Sequence, residues 1–145
     1  MILHGKLPED DQRITLYIEG EKISRIEPFR EGPGADSDNT DLYMSPGFFD
    51  PQVNGFAGVD FNSKDLKPED MHLAAQAILA TGVTTFFPTL ITASFERLIH
   101  QLKILKWAIE NDPFISKMCK GIHLEGPYIS STEGPRGIHL HHYIR

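Results

Sequence analysis

Cysteine is almost missing from this chain: only Cys119 is present. One thiol cannot close an internal disulfide, so no disulfide framework exists and nothing marks an oxidising compartment. Long apolar runs are missing too. None approaches the roughly 18–20 residues needed to span a bilayer, which excludes a membrane-spanning helix, and Met1 to Lys6 lacks the apolar core of a secretion signal. Basic residues are outnumbered 14 to 20, for a net charge of -6 with neutral histidines. A surface that releases counterions from nucleic acid is therefore not expected. No internal repeat, low-complexity tract, P-loop, dinucleotide fingerprint or nucleophile elbow occurs. What is present, 40% hydrophobic and 23% charged residues in 145, suits one packed domain of a soluble, cytoplasmic protein.

The texture changes along the chain. Residues 1–30 read as a small β element: Ile14, Leu16 and Ile18 alternate with polar residues, Gly20 sits at a turn, and Ile23 and Ile26 follow. Residues 31–40 are all turn-formers and predict a loop. Tyr43 to Asn54 holds a strand leading out of Pro46 and Gly47. Pro68 then fits the first turn of a helix whose Met71, Ala74, Ala75 and Ile78 make an apolar stripe, ended by Gly82. Val83 to Phe87 is β-branched and aromatic, a buried strand that Pro88 closes. Ser94 caps a second helix with Leu98, Leu102, Leu105 and Ile109 at helical spacing, and Pro113 lies beyond it. Lys120 to Glu125 is a third strand, ending at Gly126 and Pro127. The order β-α-β-α-β predicts a parallel sheet. Three parallel strands with two helices leave edges and a face uncovered, and the N-terminal hairpin cannot bury its own apolar side.

Ligands of α/β folds gather at the carboxyl ends of parallel strands. At the first such end Asp50, Gln52 and Asn54 lie two apart and share a face of an extended segment. The plain alternative is a polar exit turn around Pro51 and Gly55. At the third end His123 and Glu125 share a face just before Gly126. There Glu125 could be a metal ligand, a general base or a surface charge. The tail from Arg136 to His142 carries His139, His141 and His142. Histidines on a loop give no fixed geometry, and no second cluster completes a self-contained zinc site. Arg136 could hold an anion through its planar fork or be solvated. Trp107 and Cys119 read as core residues.

Two strings carry a family resemblance. Met44 to Gly58, with Pro46-Gly47-Phe48-Phe49-Asp50-Pro51-Gln52-Val53-Asn54-Gly55 at its centre, resembles the first barrel strand of the amidohydrolase superfamily. Gly121-Ile122-His123-Leu124-Glu125-Gly126-Pro127-Tyr128-Ile129, followed by Arg136-Gly137-Ile138-His139, resembles the signature of N-acetylglucosamine-6-phosphate deacetylases. Thr81 to Thr89 is similar to that family's second strand. The resemblance implies a metal-dependent (β/α)₈ TIM barrel bearing a small β-sandwich made from both chain ends. Residues 1–45 would form part of the sandwich, and residues 46–145 the first three barrel strands. A full barrel takes about 250 residues, so the chain resembles only the N-terminal part of such an enzyme.

By the same resemblance, Glu125 matches a metal-binding glutamate for one divalent ion, zinc or similar. His139 matches the histidine that polarises the acetamide carbonyl, and Ile138 a position that touches substrate through its backbone. Superfamily members with His-x-His on the first strand differ from this chain, which has Gln52 and Asn54 there. Neutral amides are poor ligands for such an ion, pointing to a single-metal site. Asp50, Gln52, Asn54 and His123 would support that site without binding the ion. The implied reaction hydrolyses the N-acetyl group of N-acetylglucosamine 6-phosphate, an amino-sugar phosphate, to glucosamine 6-phosphate and acetate. The implied assembly is a homo-oligomer at full length, with neither nucleic acid nor membrane as partner. The other histidine ligands and the catalytic aspartate lie on later strands in this family, so activity of these residues alone is not expected. Two other readings stand beside it: an amidohydrolase acting on a cyclic amide or nucleobase, and a non-catalytic chain that binds a partner through its open edges.

Overall fold

A computed structural model describes residues 1–30 and 37–145. The chain divides into two compact units, Met1–Pro46 and Gly47–Arg145.

The first unit is a four-stranded sheet in the order β3-β2-β1-β4. Strand β1 (Ile2–Lys6) pairs antiparallel with β2 (Arg13–Glu19), which turns at Gly20 into β3 (Lys22–Pro28). The expected hairpin forms, with a register shift between Tyr17 and Ile18 that interrupts strict alternation. Ile14 is buried, whereas Ile23 and Ile26 stay exposed. The loop expected over 31–40 needs correction at its end. Ser37–Tyr43 is strand β4, parallel to β1, while residues 31–36 lie outside the described part. Turn-forming composition is overridden by backbone pairing with β1, and an exposed ion-pair cluster crosses the strands. Asp41 of β4 takes Lys6 at 3.2 Å and Arg13 at 3.1 Å. The Lys6 hydrogen bond, with the charges of Lys6 and Arg13, holds the Asp41 carboxyl below the usual carboxylate range.

The second unit carries a three-stranded, all-parallel sheet in the order β5-β8-β9. Strand β5 (Phe48–Val53) is followed by a tiny hairpin that sequence reading did not separate from the exit turn. In it β6 (Gly55–Phe56) and β7 (Val59–Asp60) pair around Ala57 and Gly58. Helix α1 (Pro68–Leu79) has Pro68 at its first turn, and Asp70 reaches back to accept the Lys67 N–H at 2.8 Å. Its buried residues are Met71, Ala74, Ala75 and Ile78, the expected stripe. Gly82, with φ +91°, turns the chain out of the helix into β8.

Strand β8 (Val83–Ile91) does not stop at Pro88 as expected; it runs on to Ile91. Pro88 is tolerated because it sits where β8 changes partner. Pairing with β5 ends at Val53 opposite Pro88, and pairing with β9 (His123–Glu125) begins at Thr89 opposite His123. No ladder bond needs the missing N–H there. Ser94 caps helix α2 (Phe95–Asn111) by accepting the Arg97 N–H at 3.3 Å. The buried centre of α2 is Gln101, Leu105 and Ala108, with Leu98, Leu102 and Ile109 packing at its flanks. Trp107 is not in the core: it is 53% exposed, one helical step off the buried face. Pro113 opens a further short helix, α3 (Pro113–Met118), capped by Asp112. Phe61, Met71, Phe86, Leu90, Leu105 and Ile115 form the centre of the core, and Cys119 is buried with them. Among the described residues no helix is long and apolar enough to cross a membrane.

Candidate active site

Alternation along β8 puts Phe86 and Leu90 toward the helices and Thr89 and Ile91 on the other face. In the parallel register Thr89 faces His123 and Ile91 faces Glu125. The two site candidates of β9 therefore lie on the sheet face opposite that core. Thr89 Oγ1 lies 3.3 Å from His123 Nδ1, tying the imidazole to the neighbouring strand. Asn62, just past β7, stitches the local backbone onto the end of β8. Its Nδ2 donates to the Thr89 carbonyl at 2.9 Å, its Oδ1 accepts the Ile91 N–H at 2.8 Å, and Arg97 donates to the Asn62 carbonyl. Asn62 and Thr89 thus tie the end of β8 to its neighbours.

The geometry expected to be missing from the histidine tail is present at one residue. His139 is buried, with 8% exposure. Its Nε2 lies 3.4 Å from Glu125 Oε1, and its Nδ1 lies 3.0 Å from Thr92 Oγ1. The Thr92 N–H points at the same Nδ1 at 3.4 Å, and the Thr92 hydroxyl donates to the Glu125 carbonyl at 3.1 Å. A tail loop, the end of β9 and the residue after β8 converge on one imidazole. Turn bonds from the Arg136 N–H to Thr132 O and from the His139 N–H to Arg136 O deliver it there. Gly126 is required at the crossing: its φ is +93°, and a Cβ on it would come within 2.0 Å of Thr92 Oγ1.

The other candidates are dispersed. Asp50 Oδ1 accepts the Gln52 N–H at 3.0 Å within β5, and Gln52 is exposed. The Asn54 carbonyl accepts from the Phe61 N–H and from Asn62, while its own side-chain Nδ2 is buried without a partner among the described residues. Among the described residues no hydrogen bond joins Asp50, Gln52 or Asn54 to Glu125 or His139. Ile138 is 73% exposed beside the buried His139. Arg136 is half-buried, with no partner for its Nε among the described residues. His141 and His142 lie exposed in a 3-10 turn. Thr92 was missed by sequence reading. Its only local signal is a polar β-branched residue at a strand end, and the strand had been expected to stop before it.

Chemically, the pair offers a carboxylate, 30% exposed, beside an imidazole whose outer nitrogen faces it. Among the described residues no three side chains of His, Cys, Asp or Glu come together in a way that could hold a metal ion. A catalytic metal centre usually takes three protein ligands, so these residues do not fit one by themselves; Glu125 supplies a single carboxylate.

No family model matches the chain. A curated N-acetylglucosamine-6-phosphate deacetylase of Caenorhabditis elegans is 42% identical over 133 residues, 89% of this chain and 28% of that protein. The crystal structure of an N-acetylglucosamine-6-phosphate deacetylase from Thermotoga maritima matches all of this chain and 37% of its own, at 30% identity and a TM-score of 0.72. An N-acetyl-D-glucosamine-6-phosphate deacetylase structure from Mycobacterium smegmatis, at 24% identity, shares the fold with a TM-score of 0.80. The chain spans about a third of the length of the relatives it matches. Curated and structural neighbours agree: over that part, this chain is related to the N-acetylglucosamine-6-phosphate deacetylases, which are hydrolases.

Proposed function

We propose that this chain supplies part of the active site of an enzyme that hydrolyses the N-acetyl group of N-acetylglucosamine 6-phosphate to glucosamine 6-phosphate and acetate. The observation that carries the reading is the meeting of Glu125 and His139 at 3.4 Å at the carboxyl end of β9. These are the two positions that the family resemblance singles out, and they lie on separate segments that need not have met. His139, held from behind at Nδ1, can donate from Nε2 to the oxygen of an acetamide carbonyl, where negative charge grows as the carbonyl becomes tetrahedral. Burial strengthens that hydrogen bond. Ile138, exposed at the rim, leaves its backbone free to touch the sugar. Glu125 is proposed as one ligand of a single divalent ion, zinc or similar, whose other ligands come from outside the described residues.

In the same reading β5, β8 and β9 are the first three strands of a (β/α)₈ barrel, and β1 to β4 are part of a β-sandwich. Support comes from the all-parallel, sequential order β5-β8-β9. It comes also from Phe48, Phe49 and Leu124, which leave the two outer strands exposed and apolar, at 64%, 53% and 49%. Open apolar edges are what neighbouring strands would cover.

The test is acetate release from N-acetylglucosamine 6-phosphate by the protein isolated from its source cells and supplied with divalent zinc. Release is expected, and Glu125→Gln and His139→Gln should each lower kcat about 100-fold or more, the scale of losing a transition-state donor. A protein that releases no acetate would remove the substrate assignment.

A further inference from the structure

We propose that Thr92 is a positioning residue for His139, fixing its imidazole with the proton on Nε2. This rests on the deacetylase reading for its use but not for its geometry. A neutral imidazole carries one proton, and its two nitrogens compete for it. With the proton on Nε2, the ring donates toward the Glu125 carboxylate at 3.4 Å and Nδ1 receives the Thr92 N–H at 3.4 Å, while the one Thr92 hydroxyl proton, 3.0 Å from Nδ1 and 3.1 Å from the Glu125 carbonyl, is shared between those two acceptors. With the proton on Nδ1 the Thr92 hydroxyl oxygen could accept it, but the Nε2 lone pair would face a carboxylate and the Thr92 N–H would face another N–H. Both contacts would be repulsive, in a site where His139 is 8% exposed and Thr92 4%. The backbone N–H of Thr92 cannot reverse its direction, so it is the fixed element. The hydroxyl, which also reaches the Glu125 carbonyl at 3.1 Å, sets the distance between β8, β9 and the tail.

The consequence is specific. A histidine that must donate to a carbonyl oxygen works only if Nε2 bears the proton and aims outward. Thr92 supplies both conditions through its contacts with the ring. Gly126 leaves the room it needs, since a Cβ there would strike the Thr92 hydroxyl.

The experiment uses Thr92→Val, which keeps the methyl and the backbone N–H but loses the hydroxyl, and Thr92→Ser, which keeps the hydroxyl. Imidazole nitrogen NMR of the 145-residue chain at one fixed alkaline pH, with His139 assigned by its loss in His139→Gln, should show Nε2 protonated. A signal with the proton on Nδ1 overturns the proposal whether or not the protein is a deacetylase. In the active protein, Thr92→Val should lower kcat about 10- to 100-fold with KM changed by less than about 3-fold, the scale of a misplaced catalytic group. Thr92→Ser should restore kcat to within about 3-fold. Equal kcat for Thr92→Val and the parent protein would overturn it, as would Thr92→Ser failing along with Thr92→Val while folded by its melting curve. Should Thr92→Val fail to fold, the nitrogen spectrum of the parent chain and the kcat of Thr92→Ser decide. If the parent protein releases no acetate, the deacetylase reading fails, and the nitrogen spectrum alone then judges Thr92.

Discussion

Asp112 does two jobs at the junction of α2 and α3, and removing it should weaken the second unit by a calculable amount. Its Oδ1 accepts the N–H groups of Phe114 at 2.8 Å and Ile115 at 3.3 Å, capping α3. Its Oδ2 takes His72 Nδ1 of α1 at 2.6 Å. Loss of an N-cap costs about 1 kcal/mol. The bond to His72 is partly open to solvent, with the two side chains 40% and 26% exposed, so it adds only about 0.5–1 kcal/mol. Asp112→Ala should therefore destabilise by about 1.5–2 kcal/mol. Asp112→Asn, which can still cap, should cost about half of that. The His72 hydrogen bond, helped by the Phe114 and Ile115 N–H groups, lowers the Asp112 pKa from its ordinary 3.8. A carboxyl whose folded pKa is depressed contributes stability that is fully present above the unfolded value and lost as pH falls through the folded one. The margin of the parent chain over Asp112→Asn should thus shrink as pH falls from about 5 into stronger acid. The three α-helices among the described residues lie in the second unit, so urea unfolding followed by helical circular dichroism reads that unit. A cost below about 0.3 kcal/mol for Asp112→Ala, under the low end of a lost cap, or a margin over Asp112→Asn that widens in acid, would refute the reasoning.

Gln101 is 1% exposed on α2, and neither of its amide atoms has a partner among the described residues. Gln101→Met, close in shape, should raise stability by about 1–2 kcal/mol in the same urea experiment, and no gain would show that the amide is satisfied. Burial pushes the Cys119 thiol up to about 12, so a thiol-specific reagent at mildly alkaline pH should leave the folded chain unlabelled and modify it fully in urea. Rapid labelling without denaturant would contradict the packing of α3. Gly126→Ala should destabilise by more than about 1 kcal/mol, from the positive φ and the contact with Thr92 together. It should also disturb the His139 nitrogen signal, whereas Gly20→Ala, which has open space around it, should leave that signal in place.

What could be read in the residues was whatever follows from a period. Helix α1 is the clear case: Pro68 set its start, and Met71, Ala74, Ala75 and Ile78 fall on one face because 3.6 residues make a turn, and they are the buried ones. Readings resting on composition alone were less secure. Residues 37–40 look like loop, yet pairing with β1 recruits them into β4. Pro88 looks like a stop, yet it sits at the one place in β8 where its missing donor costs nothing. Trp107 looks like core by type, but its position on α2 turns it outward. Type is a weaker guide than position, because burial is decided by the face a residue occupies and not by its own hydrophobicity.

The site divides along the same line. Glu125 and His139 could be nominated from a string of residues, since a motif preserves identity and order. Thr92 could not, because its importance exists only once the end of β8, the end of β9 and the tail are brought together. Contacts between distant segments leave no periodic trace in any one of them. The candidates Asp50, Gln52 and Asn54 illustrate the converse. Their two-residue spacing would place them on one face of a regular strand, but β5 shifts register between Asp50 and Val53, and Asp50 spends a lone pair on the Gln52 N–H. A spacing argument holds only while the strand stays regular, and strand ends, where ligands bind, are where regularity stops. Chemistry at a strand end must therefore be argued from hydrogen bonds. Here those bonds favour the Thr92–His139–Glu125 cluster over the first-strand amides.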